Sequence, residues 1–88
     1  MPASSETAVA LPADVDLHAR PAAEFVRAAM GFAAEIVVAA GEREANAKSL
    51  LSVLALGAKG GTTLRLRAQG GDAADAVTVL GRCLTTLH

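Results

Sequence analysis

The sequence is poor in aromatic residues, which limits how its core can be built. Only Phe25 and Phe32 are aromatic among 88 residues, and there is no Trp or Tyr. Apolar residues still make up 52% of the chain, so the core must be packed from Leu, Val, Ile and Ala. A chain this short buries roughly 60% of its unfolded surface, enough for one modest core. We therefore predict a single small domain over residues 1–88, with no room for a large substrate cleft.

Other features that the sequence lacks exclude several classes of protein. A single cysteine, Cys83, cannot form an internal disulfide and fits a reducing compartment. The net charge of −1 argues against non-specific nucleic-acid binding, which needs an excess of basic residues. The chain has no signal-peptide pattern and no apolar run of the roughly 18 residues that a membrane span needs. Two histidines and one cysteine show no metal-ligand spacing, so we expect a soluble cytoplasmic protein without a metal.

Alternating strand and helix patterns run along the chain. They predict strands over residues 7–11, 35–40, 43–45 and 62–69, and helices over 19–30, within 46–56 and over 73–87. Residues 1–6 are small and polar, and we expect a frayed terminus there. The order is β-α-β-β-α-β-α. Because apolar and polar residues alternate along the strands, one sheet face should be buried under the helices, giving a two-layer α+β sandwich.

Three local signals refine this prediction. Val26 and Met30 belong to an apolar stripe with helical spacing, so we expect both to be buried. Gly41 and Glu42 suit the central positions of a type II′ hairpin turn, whose first position requires glycine. Asp72 precedes the last helix and is predicted to be its N-cap.

The stretch with the clearest chemical pattern is residues 16–22, which read DLHARPA. Pro21 favours the first turn of a helix, so His18 lies at or near the N-cap. The first N–H groups of a helix lack intrahelical acceptors, and together with Arg20 they would stabilise an anion attached to His18. A neutral imidazole nitrogen is a nucleophile near neutral pH. The pattern suggests a histidine that carries a phosphoryl group, although a histidine that only caps the helix is the simpler alternative.

Two motifs resemble those of a known family. Residues 17–22, LHARPA, resemble the active-site signature of HPr, the histidine phosphocarrier of the bacterial phosphoenolpyruvate-dependent sugar phosphotransferase system. Residues 46–51, NAKSLL, continuing to LGA at 56–58, resemble the family's regulatory serine segment. Their relative spacing is that of the family, and the resemblance covers nearly the whole chain. It implies an open-faced sandwich in which an antiparallel sheet of strand order 1-4-2-3 carries three helices on one face.

The resemblance also implies a function. Enzyme I, charged by phosphoenolpyruvate, would transfer its phosphoryl group to Nδ1 of His18, and a sugar-specific enzyme IIA would then accept it. Arg20 would stabilise the phosphate. Such a protein is a covalent carrier rather than a turnover enzyme, needs no bound cofactor, and is expected to be monomeric.

Further residues are candidates for partner contact and regulation. The apolar residues of the second helix cannot all be buried, so we assign Leu51 and Leu54 to a docking patch beside His18, with core packing as the competing interpretation. Arg27 lies on the face that meets partners in the family, where it would contact acidic residues. Ser49 matches the serine that a dedicated kinase/phosphorylase modifies in some relatives, but serine is also a preferred N-cap.

One position departs from the family pattern. Asp16 stands where the family usually has glycine, which can adopt a positive φ more freely than aspartate. Its negative charge is also expected to disfavour phosphorylated His18. We therefore expect altered loop geometry or an altered phosphoryl-transfer potential.

Three alternatives to sugar transport remain open at the level of sequence. The nitrogen branch of the phosphotransferase system uses the same chemistry for signalling, and the Ser49 segment favours the carbon branch over it. An interaction module would bind a regulator without phosphorylation of His18. A domain of a larger phosphotransferase polyprotein is disfavoured by the start at Met1.

Overall fold

The computed structural model describes residues 3–87, which form one sheet and three helices. In chain order the elements are β1 (Ser4–Ala10), α1 (Ala19–Ala29), β2 (Glu35–Ala40), β3 (Arg43–Asn46), α2 (Leu50–Ala55), β4 (Thr63–Gln69) and α3 (Ala73–Thr85). The predicted order of elements is confirmed.

The four strands form an antiparallel sheet of order β1-β4-β2-β3, as predicted. The central strand β4 lies between β1 and β2, with Leu66 opposite Thr7 on one side and Val38 on the other. Hydrophobic alternation explains this register, because Leu64, Leu66 and Ala68 all point into the core while their neighbours stay exposed. The helices cover this inner face, which completes the two-layer sandwich.

Leucine, valine and alanine build the core, together with one aromatic ring. The largest fully buried side chains are those of Phe25, Leu64, Leu66, Leu80, Leu84, Val38 and Val53. The outer sheet face is polar, and Arg67 forms an exposed ion pair with Glu44 at 3.9 Å. Along the described residues, no helix is long and apolar enough to cross a membrane.

Two sequence-based expectations about the ends of elements are wrong. β1 begins at Ser4, so residues 4–6 are paired with β4 rather than frayed, because strand pairing satisfies their backbone groups. Residues 1 and 2 lie outside the described part of the chain. Met30 is 66% exposed rather than buried, because α1 ends at Ala29 and Met30 is its C-cap, beyond the last residue that continues the buried stripe.

The β2–β3 hairpin follows the predicted turn chemistry. Gly41 has φ +60°, and no non-glycine residue within 3–87 has a positive φ, so Glu42 takes the second central position of the turn without strain. A type I′ turn would need positive φ at both positions, which leaves type II′ as the turn that fits.

Asp72 occupies the predicted N-cap position of α3 but bonds elsewhere. Its carboxylate oxygens accept hydrogen bonds from the N–H groups of Ala33 and Ala34, both at 2.9 Å, and its side chain makes no cap bond to α3. The carboxylate therefore ties the α1–β2 loop to the start of α3. These bonds, first that from Ala33, hold the pKa of Asp72 below its ordinary value, and the positive charge of Lys48 lowers it further.

This lowered pKa predicts an acid-dependent loss of stability. A carboxylate whose pKa is lower in the folded state stabilises the fold above its unfolded pKa of about 4, and the contribution is lost as pH falls through the folded value. Asp72→Asn imitates the protonated form. It should therefore lower the urea midpoint at pH 7. The difference in urea midpoint between the variant and the unmodified protein should shrink below about pH 4. Asp75→Asn, in the first turn of the same helix, is the control. An equal difference at pH 7 and pH 3 would contradict this linkage.

The cap of α2 predicts a second stability effect. Ser49 is the N-cap, and its Oγ accepts the Ser52 N–H at 3.4 Å, whereas Asn46 bonds to the Lys48 N–H instead. Because this cap bond is long, Ser49→Ala should lower the free energy of unfolding by about 0.5–1 kcal/mol, the lower part of the range for N-cap loss. Ser52→Ala keeps the donating N–H and should leave stability nearly unchanged. Urea denaturation measures both, and equal stability of Ser49→Ala and the unmodified protein would rule out a stabilising cap.

Candidate functional site

His18 is the N-cap of α1 and presents its ring at the surface. Its backbone is extended, with φ −91° and ψ −167°, and its carbonyl accepts the Ala22 N–H at 2.9 Å. The imidazole makes no capping bond to the helix, and the residue is exposed. The side chain is therefore held by its backbone at a helix start while its ring nitrogens are accessible from solvent.

The surroundings of His18 favour negative charge. The first N–H groups of α1 carry the partial positive charge of the helix N-terminus, and the first turn contains no acidic residue. Arg20 lies in this turn and is exposed, two residues after His18. A helix N-terminus with an adjacent arginine is a suitable environment for a phosphate.

Buried neighbours on both sides hold His18 in place. Leu17 is buried, and its N–H donates to the Ala58 carbonyl at 2.8 Å. Pro21 is buried in the first turn of α1. These two buried residues anchor the backbone on either side of the exposed residues 18–20, from which the imidazole extends.

Asp16 makes contacts that the sequence did not predict. Its carboxylate Oδ1 accepts the Gly60 N–H at 2.8 Å, and its backbone carbonyl accepts the His18 N–H at 2.9 Å. The residue does not have a positive φ, so the loop accommodates aspartate without the left-handed conformation in which glycine is favoured. The predicted change in loop geometry or in phosphoryl-transfer potential at this position stays a prediction.

A shallow depression beside His18 is formed by two loops and α2. Asp16, Leu17 and His18 line one side, and Leu54, Gly57, Ala58 and Lys59 line the other. The structure thus brings the predicted Leu54 next to His18. The sequence analysis assigned Gly57 and Ala58 to the serine segment but did not place them, or Lys59, beside His18, because they come about 40 positions later in the chain. The positive charge of Lys59 was the available signal.

The other predicted site residues lie farther along α1 and α2. Leu51 is 80% exposed and Leu50 is 38% exposed, so α2 displays apolar surface as expected, while Val53 of the same helix is buried in the core. Arg27 is exposed in the last turn of α1, about 13 Å from His18 along the helix axis at the standard rise. Ser49 caps α2 and does not line the depression.

The side-chain types that bind metals are not clustered within residues 3–87. No group of three or more His, Cys, Asp or Glu residues in this part of the chain is arranged to hold a metal ion. Cys83 is half-buried in α3, and this burial, followed by the nearby charge of Glu24, raises the pKa of its thiol.

Comparison with known proteins agrees with this arrangement. The family model described as the PTS HPr component phosphorylation site matches residues 5–86. Phosphocarrier protein HPr of Vibrio cholerae is 40% identical over 83 residues, covering 94% of this chain and 98% of the relative. A multiphosphoryl transfer protein of Xanthomonas campestris is 46% identical over 57 residues, which cover 65% of this chain and 7% of that protein.

Solved structures lead to the same family. The crystal structure of a phosphocarrier protein HPr from Bacillus anthracis superposes with a TM-score of 0.89 at 30% identity, covering 94% of this chain and 99% of that one. Sequence and fold therefore agree over nearly the whole length of the chain. The chain belongs to the HPr family and is a phosphocarrier of the phosphotransferase system.

Proposed function

We propose that His18 is the phosphoryl acceptor of this carrier, receiving the group from enzyme I charged by phosphoenolpyruvate and passing it to a sugar-specific enzyme IIA. The observation that carries the proposal is an exposed imidazole at the N-cap of α1 that makes no capping bond, with Arg20 beside it. A histidine that served only as a cap would use its side chain in that bond. Its ring is instead available to an incoming phosphorus atom.

The chemistry needs little from the carrier itself. The lone pair of His18 Nδ1 attacks phosphorus, the bond between phosphorus and the donor nitrogen of enzyme I breaks, and the donor keeps that electron pair. The free N–H groups of α1 and the Arg20 guanidinium stabilise the phosphoryl oxygens. Phosphoryl transfer depends mostly on positioning and charge stabilisation, so two partners that close over an open site can supply the rest. The protein acts as a relay in the cytoplasm and not as a turnover catalyst.

We assign the partner surface to the exposed ends of α1 and α2 around His18. The exposed Leu51 and the half-buried Leu54, which also packs against the core, supply its apolar part. Arg20 and Arg27 supply positive charge for acidic residues of enzyme I and enzyme IIA. Interfaces with an apolar centre and a charged rim are common between soluble proteins. The protein needs no second copy to complete this surface, and we propose that it acts as a monomer.

Regulation at Ser49 belongs to the same proposal. A phosphate added there by a serine kinase would lie at the start of α2, where the helix N-terminus tolerates negative charge. It would also add charge of about −2 next to Leu50 and Leu51, opposing the docking of an acidic partner. Phosphorylation of Ser49 would thereby slow transfer through His18 without touching the imidazole.

Intact-mass measurement tests the role of His18. After incubation with phosphoenolpyruvate and a matched enzyme I, the protein should gain one phosphoryl group that is lost in mild acid. His18→Ala should gain none. If enzyme I is charged in the same tube and the protein gains no mass, His18 is not its acceptor. A His18→Ala variant that still supports the protein's role in the cell would then favour an interaction module.

Substitution of Leu51 tests the docking surface. Burial of a leucine contributes about 1.5–3 kcal/mol, so Leu51→Ser should raise the KM of enzyme I for the carrier about tenfold or more with little change in kcat or stability. Val79→Ser is the matched control, because Val79 is also an exposed apolar residue, at 44%, but lies on α3. An unchanged KM for Leu51→Ser, or an equal rise for both variants, would place the docking surface elsewhere.

A further inference from the structure

We infer that Asp16 is a positioning residue for phosphoryl transfer: its carboxylate fastens the loop that carries His18 to the loop after α2, and its charge keeps the phosphoryl group easy to transfer. This inference rests on the proposed role of His18. It concerns a residue in which the chain departs from the family pattern, so the family's common features do not supply it.

The first observation is that Asp16 joins two distant segments at the site. Its Oδ1 accepts the Gly60 N–H at 2.8 Å across 44 positions of sequence. Its own carbonyl accepts the His18 N–H at 2.9 Å. One residue therefore connects the α2–β4 loop directly to the backbone of His18.

The second observation is that the two loops are built to touch. The Leu17 N–H donates to the Ala58 carbonyl at 2.8 Å, and the Gly61 N–H is shared between the carbonyls of Leu11 and Pro12 at 3.2 and 3.3 Å. A Cβ on Gly60 would lie 2.2 Å from the Ala13 carbonyl oxygen, so only glycine allows this approach. Backbone hydrogen bonds already join the two loops, and the Asp16 carboxylate adds one more bond between them. This side-chain bond is the one that a substitution can remove.

The third observation concerns charge. Asp16 and His18 line the same depression, with Lys59 on its opposite side. A phosphoryl group on His18 would carry about two negative charges, and a carboxylate nearby repels it. This repulsion makes the phosphorylated carrier less stable and hence a better donor to the next protein. The Arg20 guanidinium offsets part of the repulsion, so the group stays bound long enough to be passed on.

Two substitutions separate the hydrogen bond from the charge. Asp16→Asn keeps a carbonyl oxygen that can accept the Gly60 N–H but removes the charge, whereas Asp16→Gly removes both. Asp14→Asn, an exposed aspartate of the same loop, controls for the change in net charge alone. For each protein one measures the equilibrium constant and rate of phosphoryl transfer from enzyme I, the melting temperature, and the amide hydrogen exchange of Gly60.

The expected results differ for the two variants. Asp16→Asn should shift the equilibrium toward phosphorylated carrier about three- to tenfold at low salt, with the shift shrinking toward onefold near 1 M salt as the charge is screened. Its Gly60 exchange and transfer rate should stay close to those of the unmodified protein. Asp16→Gly should show the same equilibrium shift together with roughly tenfold faster exchange at Gly60 and slower transfer. Asp14→Asn should change the equilibrium less than twofold.

Each part of the inference has its own overturning result. An unchanged equilibrium in Asp16→Asn refutes the role of the charge. Unchanged exchange at Gly60 in Asp16→Gly, or an Asn variant that transfers as slowly as the Gly variant, refutes the role of the hydrogen bond. Failure of the unmodified protein to accept a phosphoryl group from charged enzyme I refutes the proposed function itself, and the exchange measurement still reports on the loop contact in that case.

Discussion

The contact between the loop before α1 and the loop after α2 is the constraint on which the site depends. Gly60 comes so close to the Ala13 carbonyl that no larger residue fits, and Leu17 bonds to Ala58 across the same boundary. Because the two loops are joined at these points, the backbone of His18 lies beside the loop after α2. Without this contact, α1 would still begin at the same residue, but the imidazole would have no defined neighbours across the depression.

A domain of this size can hold only part of a phosphoryl-transfer site. The depression at His18 is shallow and is lined mainly by loop residues and Leu54. In the proposed mechanism the carrier contributes the nucleophile, the helix N-terminus and Arg20, and the exposed leucines on α2 provide the surface on which a partner would close. The open site and the apolar surface serve the same need, since a carrier must expose its reactive group to more than one protein in turn.

Two carboxylates connect segments that are far apart in the sequence, because each accepts hydrogen bonds from backbone N–H groups of a distant loop. Asp72 appears from the sequence to be a local helix cap, yet it holds the N–H groups of Ala33 and Ala34 on another loop. Asp16 appears to be a charged neighbour of His18, yet it holds the N–H of Gly60. In both cases a turn leaves backbone donors unpaired at the surface, and a short acidic side chain from a distant segment satisfies them.

The strands, helices and turns that depend on residues adjacent in the sequence could be predicted without the structure. Alternation in residues 62–69 predicts β4 and its buried face, Pro21 predicts a helix that begins just after His18, and Gly41 predicts the hairpin turn. These features arise from backbone preferences and hydrophobic periodicity, which act within a few residues. The family motifs around His18 and Ser49 are likewise local, and they led to the correct family.

Contacts between residues that are far apart in the sequence are visible in the three-dimensional structure alone. The pairing of residues 4–6 with β4 and the bond from Asp16 to Gly60 both depend on segments that the chain brings together after many intervening residues. A periodic pattern carries no information about such partners, because their choice follows from how the packed sheet and helices place the loops. The chemistry proposed for His18 rests on its neighbours in sequence, whereas the positions of the loops around it result from packing.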